Sequence, residues 1–199
     1  MELASLYPRI AALCAARPGQ PVLLALDGRC GSGKTTLAAQ LARQFPGSIT
    51  LHTDDYYLPP ARRVPGWEKI PCANMDLERL KTEVLAPARA GQAFSTRAYS
   101  CREGAYLPPV SFPPAPLVLI EGSYSHHPTL ASYYDLRLFV TCSKEEQARR
   151  LHAREGERYP AFAARWIPLE EGYFARYQIE ENADLILDTE KGMIEATKS

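Results

Sequence analysis

The sequence has 199 residues, a length typical of one domain, and 46% of them are hydrophobic, which is enough to bury a sizeable core. Lysine plus arginine and aspartate plus glutamate number 23 each, so there is no net charge to attract nucleic acid or an anionic membrane. Five scattered cysteines, no signal peptide and no apolar run of about 18 residues predict a cytoplasmic protein with reduced thiols, without a membrane span or a nucleic-acid partner.

The first predicted elements in chain order are a helix, a strand and a second helix. Apolar residues at helical spacing predict a helix within residues 1–19, beginning near Ser5 because Pro8 is tolerated only in a first turn. The continuous apolar run 21–27 predicts a strand covered on both faces, and 35–45 is predicted to be the helix that follows it. The sequence leaves open whether the first helix packs on the sheet or on another subunit of a homo-oligomer.

Strands and helices continue to alternate through the rest of the chain. Strands are predicted at 48–54, 117–121, 135–142 and 183–188, and helices at 144–155 and 170–182. This alternation indicates an α/β fold, with a five-stranded parallel sheet and helices on both of its faces. The proline-rich segments 56–75 and 93–116 interrupt the pattern, and loops of that length bind a ligand, cover a site or simply connect elements over the surface. We expect one domain over 1–199, with acceptor-binding insertions at 56–116.

The segment LDGRCGSGKTTLA, between the first predicted strand and its helix, matches the phosphate-binding P-loop pattern. Glycines let backbone N–H groups turn inward around a phosphate, and the N-terminus of the helix adds positive potential. The Lys34 ammonium can reach the β- and γ-phosphates, and the Thr35 hydroxyl can ligate Mg²⁺. The sequence therefore predicts a P-loop NTPase that uses ATP and Mg²⁺. The residues expected to hold the nucleotide are Gly28, Gly31, Ser32, Gly33, Lys34, Thr35 and Thr36.

Carboxylates stand at the ends of three predicted strands, and ligands of parallel sheets bind at that edge. Asp54 and Asp55 end the second strand, Glu121 ends the third and Asp188 ends the fifth. Phosphoryl transfer needs one carboxylate near the attacking hydroxyl and another near the metal. Glu121 follows four apolar residues directly, so we expect it beside a cation, at the metal site. The Asp54–Asp55 pair supplies the base or forms a solvated turn, and Asp188 is expected to be structural.

The predicted helix 144–155 presents an arginine face. Arg150 and Arg154 stand four residues apart and share one side of the helix, and Arg158 follows. Such a face can close over polyphosphate and neutralise charge in the transition state, which predicts a helical lid over 149–168. Neighbouring glutamates leave an ordinary salt-bridged helix surface as the alternative.

Six motifs follow one another along residues 21–188: GRCGSGKTT, TDDYY, NMDLERL, VLIEG, RRLHARE and ADLILD. Their order resembles the uridine kinase and phosphoribulokinase family of P-loop kinases. The resemblance implies that an aspartate accepts the proton of a sugar hydroxyl and that aromatic residues line the substrate site. The residues that it implies are the base Asp54, the substrate-binding Tyr57, Asp76 and Tyr99, the metal-site Glu121, and the lid arginines Arg150 and Arg154.

One departure from the family concerns the phosphoryl acceptor. Uridine kinases usually carry a His-Ser-Arg element a few residues after the aromatic that matches Tyr99, whereas this chain has CREGAY at 101–106. His126 and His127 are the alternative histidines for substrate binding. A His-His-Pro turn is equally compatible with a plain loop that has no role in binding. Arg158 is expected to help close over the transferring group at the substrate.

Together these observations predict an ATP- and Mg²⁺-dependent kinase that acts on a hydroxyl of a small ribose-bearing metabolite, with uridine or cytidine first. Nicotinamide riboside, pantothenate and a sugar phosphate remain as other acceptors for the same chemistry. A nucleotide-binding regulatory module is the alternative from a different functional class. Such a module would need neither Asp54 nor the arginine face, and the Asn-Lys-x-Asp element of a guanine-nucleotide switch does not occur in the sequence.

Overall fold

The computed structural model describes residues 2–197 and arranges them around a six-stranded sheet. In chain order the strands are β1 (Val22–Gly28), β2 (Ile49–His52), β3 (Phe94–Thr96), β4 (Tyr99–Ser100), β5 (Ala105–Tyr106), β6 (Val110–Phe112), β7 (Leu117–Glu121), β8 (Leu136–Thr141), β9 (Leu185–Asp188) and β10 (Met193–Ala196). The helices are α1 (Leu6–Ala15), α2 (Lys34–Gln44), α3 (Leu77–Leu80), α4 (Ala86–Arg89), α5 (Pro128–Ala131), α6 (Lys144–Glu155), α7 (Tyr159–Tyr177) and α8 (Ile179–Asn182). A π-helical turn, Lys81–Leu85, joins α3 to α4.

The sheet order is β10-β9-β8-β1-β7-β2. Strands β2, β7, β1, β8 and β9 are parallel, which confirms the five predicted strands. The sixth strand, β10, pairs antiparallel with β9 and was not predicted. It has no apolar run to reveal it, because it lies at the sheet edge and buries only Ile194.

Helices cover both faces of the sheet, as the alternation of elements predicts. Successive side chains of β1 point to opposite faces of the sheet. All seven of its residues are buried because both faces are covered. Leu24 packs on one side with Leu6 of α1 and Leu41 of α2. Leu23 packs on the other side, in a second core that includes Val84. The first helix therefore packs on the sheet of its own chain.

The segments 56–75 and 93–116 form short 3₁₀ turns and two small antiparallel ladders, β3–β6 and β4–β5. The continuous helical stretch between them was not assigned from sequence, because it consists of two one-turn helices and a π turn and contains Pro87. Helix α7 also begins earlier than predicted and contains Pro168, which disguises its first half in the sequence. Within residues 2–197, no helix has the length and apolar content that crossing a bilayer requires.

Candidate active site

The loop between β1 and α2 has the conformation that a phosphate cradle requires. Gly28 has φ 134°, and a Cβ there would overlap the Val140 carbonyl of β8. Gly33 has φ 96° and immediately precedes α2, so the helix N-terminus points into the loop. The buried Lys34 donates from Nζ to the carbonyl oxygens of Gly28 at 2.7 Å and Arg29 at 3.0 Å. The ammonium of Lys34 therefore lies against the loop, beside the N-terminus of α2.

A cavity of about 640 Å³ opens in front of this loop. It brings together residues that lie far apart in the sequence, at the carboxyl edge of the parallel strands. The predicted site residues that line it are Gly31, Gly33, Lys34, Thr35, Thr36, Asp54, Tyr57, Glu121, Arg150 and Arg154. Gly28 and Ser32 shape the loop from behind, where Ser32 is fully buried. We call this space the P-loop cavity.

The carboxylate of Glu121, at the end of β7, contacts residues of both α2 and β2. Glu121 is buried and accepts from the Thr35 hydroxyl at 3.1 Å, while its other oxygen lies 2.6 Å from His52 Nδ1. The hydrogen bond to Glu121 raises the pKa of His52, against the opposing effect of partial burial. His52 was missed from sequence, although its position at the end of β2, in register with Glu121, was a signal that could have found it.

Thr35 and Glu121 fit Mg²⁺ by the chemistry of their donors. Mg²⁺ prefers oxygen ligands and usually combines one or two carboxylates with phosphate oxygens and waters. Among residues 2–197, no group of three or more histidine, cysteine or acidic side chains could hold a metal by itself. One hydroxyl and one carboxylate beside a phosphate cradle therefore match a metal that binds together with a nucleotide.

The two aspartates after β2 take different positions. The 3₁₀ turn Thr53–Tyr56 places Asp54 on the wall of the P-loop cavity, where its carboxylate accepts from the Tyr57 hydroxyl at 2.9 Å. Asp55 does not line the cavity, and burial is the main cause of its raised pKa. Burial also raises the pKa of Tyr57, so its hydroxyl remains a donor to Asp54.

The arginine face of α6 divides into two parts. Arg150 reaches the P-loop, donating to the Ser32 carbonyl at 3.2 Å and to the Thr189 hydroxyl at 2.9 Å. Arg154 lines the P-loop cavity and lies over the Phe162 ring, 5.2 Å from its centroid. All three arginines pair with glutamates of α6, Arg150 at 2.7 Å, Arg154 at 2.9 Å and Arg158 at 3.3 Å. Arg158 alone stays outside the cavity, with 80% of its side chain exposed. The lid expectation therefore fits Arg150 and Arg154 better than Arg158.

A cavity of about 370 Å³ adjoins the P-loop cavity at Gly33, Thr36 and Arg150. Leu3, Leu37 and Leu187 give it apolar walls, and the Thr189 hydroxyl and the Gln40 side chain add polar groups. An apolar slot with a few polar groups beside a phosphate cradle suits a nucleobase. Leu3 and Thr189 were not singled out from sequence, because neither belongs to a motif.

Tyr99 and Asp76, which were predicted to bind the substrate, lie in different surroundings. Tyr99 is buried and lines a third cavity of about 400 Å³, which adjoins the P-loop cavity at Tyr57 and Trp166. Asp76 is buried outside both cavities, where it accepts from Arg62 at 2.9 Å and caps α3 through the backbone N–H of Arg79 at 3.3 Å. These bonds give Asp76 a structural role in the present arrangement.

The structure places His126 and His127 outside both the P-loop cavity and the third cavity. His126 is buried, its backbone N–H donates to Asp27 at 2.8 Å and its ring Nε2 donates to the Ala25 carbonyl at 3.3 Å. His127 accepts from the backbone N–H of Thr129 at 3.2 Å and so caps α5. Burial lowers the pKa of both rings. In this arrangement both histidines make structural contacts, and neither lines the P-loop cavity.

Two buried acids that sequence analysis did not identify tie α7 to the P-loop. Asp27 accepts from the Gly28 N–H at 2.7 Å and from the Tyr173 hydroxyl at 2.8 Å. Glu170 accepts from the Cys30 N–H at 2.9 Å and from the Ser123 hydroxyl. In the sequence, Glu170 and its neighbour Glu171 look alike, and no local pattern indicates that Glu170 is the buried one. Helix α7 and the P-loop are therefore joined by hydrogen bonds.

Comparisons with solved structures find the same fold in several proteins that are described as kinases. No protein-family model matches the chain, and neither does any curated protein. A possible uridine kinase from Bacillus stearothermophilus has TM-score 0.67 and 20% identity over 92% of this chain and 100% of its own. A putative fructose transport system kinase from Silicibacter sp. TM1040 has TM-score 0.68 and 21% identity over 92% and 95%. Phosphoribulokinase from Rhodobacter spheroides has TM-score 0.60 and 15% identity over 85% and 70%. The resemblance read from the motifs is confirmed at the level of the fold.

Proposed function

We propose that this protein is an ATP- and Mg²⁺-dependent phosphotransferase that moves the γ-phosphate to a hydroxyl of a small acceptor. The observation that carries the proposal is the composition of the P-loop cavity. The phosphate cradle with Lys34, the Thr35–Glu121 pair and the carboxylate of Asp54 all line this one cavity. A nucleotide-binding regulator has no need for a carboxylate such as Asp54 at this position.

The nucleotide-binding part of the proposal assigns phosphate binding to the P-loop amides, the N-terminus of α2 and the ammonium of Lys34. Thr35 and Glu121 would hold Mg²⁺, which neutralises charge on the β- and γ-phosphates when it is bound. Arg150 and Arg154 approach the same cavity from the lid side and add positive charge where the transferring group would lie.

The transfer step assigns the role of general base to Asp54. Its carboxylate lines the cavity and is oriented by the Tyr57 hydroxyl, so it can accept the proton of an acceptor hydroxyl as the oxygen attacks phosphorus. The proton moves to the Asp54 carboxylate, the new phosphorus–oxygen bond forms, and the bond to the leaving ADP oxygen breaks. Tyr57 keeps its proton and holds the base in place.

The acceptor enters beside Tyr57, where the third cavity adjoins the P-loop cavity. A ribose-bearing metabolite is the acceptor class that we propose, with uridine and cytidine as first candidates. The aromatic walls of that cavity support a flat or sugar-like ligand. Nicotinamide riboside, pantothenate and sugar phosphates are the alternatives for the same chemistry.

The test is ADP release from ATP and Mg²⁺ with a panel of acceptors: uridine, cytidine, nicotinamide riboside, pantothenate, ribulose 5-phosphate and a blank. We expect a rate at background in the blank and stimulation by at least one acceptor. Lys34→Met is the negative control for contaminating activity. Equal ADP release in the blank and in every acceptor sample would favour the regulatory module instead.

A further inference from the structure

The third cavity, lined by Tyr57, Trp67, Asn74, Tyr99 and other residues, carries an unpaired positive charge. Arg63 and Arg165 both line it, and each guanidinium carbon lies 4.8 Å from the centroid of the Trp67 ring. We call this space the acceptor cavity.

Neither arginine of the acceptor cavity has a carboxylate within ion-pair distance among residues 2–197, and none of the described residues that line the cavity is acidic. Arg62, the neighbour of Arg63 in sequence, is by contrast paired with Asp76 at 2.9 Å. Arg63 itself donates only from Nε to a backbone carbonyl, that of Leu58, at 2.8 Å. Two guanidinium groups therefore face one small space without a counter-charge.

Aromatic rings hold these arginines in the wall of the acceptor cavity. Arg165 lies over Trp166 as well as Trp67, 5.0 Å from the Trp166 centroid. When a guanidinium is stacked on an aromatic ring, its faces are covered and its N–H groups stay free along the edges. Those edges are suited to the paired oxygens of a carboxylate or phosphate.

A buried amide adds a second, independent feature. Asn74 is 1% exposed, lines the acceptor cavity, and its Nδ2 has no hydrogen-bond partner among the described residues. Buried N–H donors are normally satisfied by protein, water or ligand, so this group is available to an acceptor atom of a ligand in the cavity. An oxyanion supplies such an atom and also the missing charge.

We propose that the acceptor cavity binds an anionic group of the phosphoryl acceptor, a carboxylate or a phosphate, through Arg63, Arg165 and Asn74. The proposal rests on the proposed function, and it narrows the acceptor class from neutral nucleosides to ribose-bearing molecules that carry an additional negative charge. The reacting hydroxyl of such a molecule extends past Tyr57 toward Asp54, because Tyr57 lines both cavities.

The test compares pairs of compounds that differ in the anionic group, by calorimetric titration of the protein saturated with ADP and Mg²⁺, so that the P-loop is already occupied. Orotidine against uridine isolates a carboxylate, and ribose 5-phosphate against ribose isolates a phosphate. We expect the anionic member of at least one pair to bind about tenfold or more tightly than its neutral partner. Whichever pair shows the preference identifies the anion. Equal affinities within both pairs, tighter binding of the neutral members, or no binding at all would overturn the proposal.

Two arginine variants test whether the preference for anionic compounds depends on the acceptor cavity. Arg165→Gln should weaken binding of the preferred anionic compound by about tenfold to a hundredfold and leave its neutral partner unchanged. Arg97→Gln removes the same charge from an exposed arginine outside the acceptor cavity and serves as the control. A loss of affinity that is equal for both members of a pair, or equal in the two variants, would contradict a specific anion site.

ADP release, measured on the same compounds, separates this proposal from the proposed function. Turnover of neutral acceptors without any anion preference in binding would retain the kinase and remove the anion site. Anion-selective binding that Arg165→Gln abolishes, without turnover of any compound, would retain the site and remove the kinase assignment.

Discussion

Replacement of Asp54 by asparagine is the most direct test of the proposed transfer step. The substitution keeps the size of the side chain and an oxygen that can accept from the Tyr57 hydroxyl, which now donates to Asp54 at 2.9 Å. It removes the capacity to take a proton. General base catalysis contributes about 10²–10⁴-fold, so we expect the turnover number to fall by that factor, or about 2.7–5.4 kcal/mol in the activation free energy.

The assay is ADP release at saturating acceptor, with nucleotide affinity measured separately by calorimetry. Asp54 has no hydrogen bond to the P-loop, so we expect the dissociation constant for ATP to change by less than about threefold, or roughly 0.6 kcal/mol. Asp55→Asn is the matched control, because Asp55 is adjacent in sequence but does not line the P-loop cavity. Full turnover in Asp54→Asn would refute the assignment, and loss of turnover only in Asp55→Asn would transfer the role of base to Asp55.

Three further predictions concern stability. Gly28→Ala should lower the unfolding free energy in urea titrations by about 3 kcal/mol, since its Cβ would overlap the Val140 carbonyl; an unchanged midpoint would contradict the close approach. Tyr173→Phe removes a donor from the buried Asp27 and should cost about 1.5–3 kcal/mol in the same assay, whereas a neutral effect would show that another donor replaces the hydroxyl. The raised pKa of His52 implies that its ion pair stabilises fully below pH 6.5 and is lost as pH rises through the raised value. Without nucleotide or metal, the melting temperatures of wild type and His52→Gln should therefore converge at alkaline pH, and a gap that widens with pH would reverse the sign.

Local patterns in the sequence predicted the parallel core of the fold. The strand β1, the P-loop and the start of α2 follow from a buried apolar run and a glycine-rich spacing, both of which depend on neighbouring residues. The position of Glu121 at the carboxyl edge also follows, since parallel strands end together. Regions with weak local signals were missed, namely the edge strand β10 and the proline-containing helices.

The sequence by itself determined the phosphate-binding loop, the five parallel strands and the set of acids at their ends, because backbone geometry and side-chain periodicity are properties of adjacent residues. Only the tertiary structure decided which side chains meet. It turned Asp54 toward the P-loop cavity and Asp55 away from it, and it paired His52 with Glu121. It also buried His126 against β1. Side-chain direction after a strand end is set by contacts with residues distant in sequence, and no local pattern encodes those contacts.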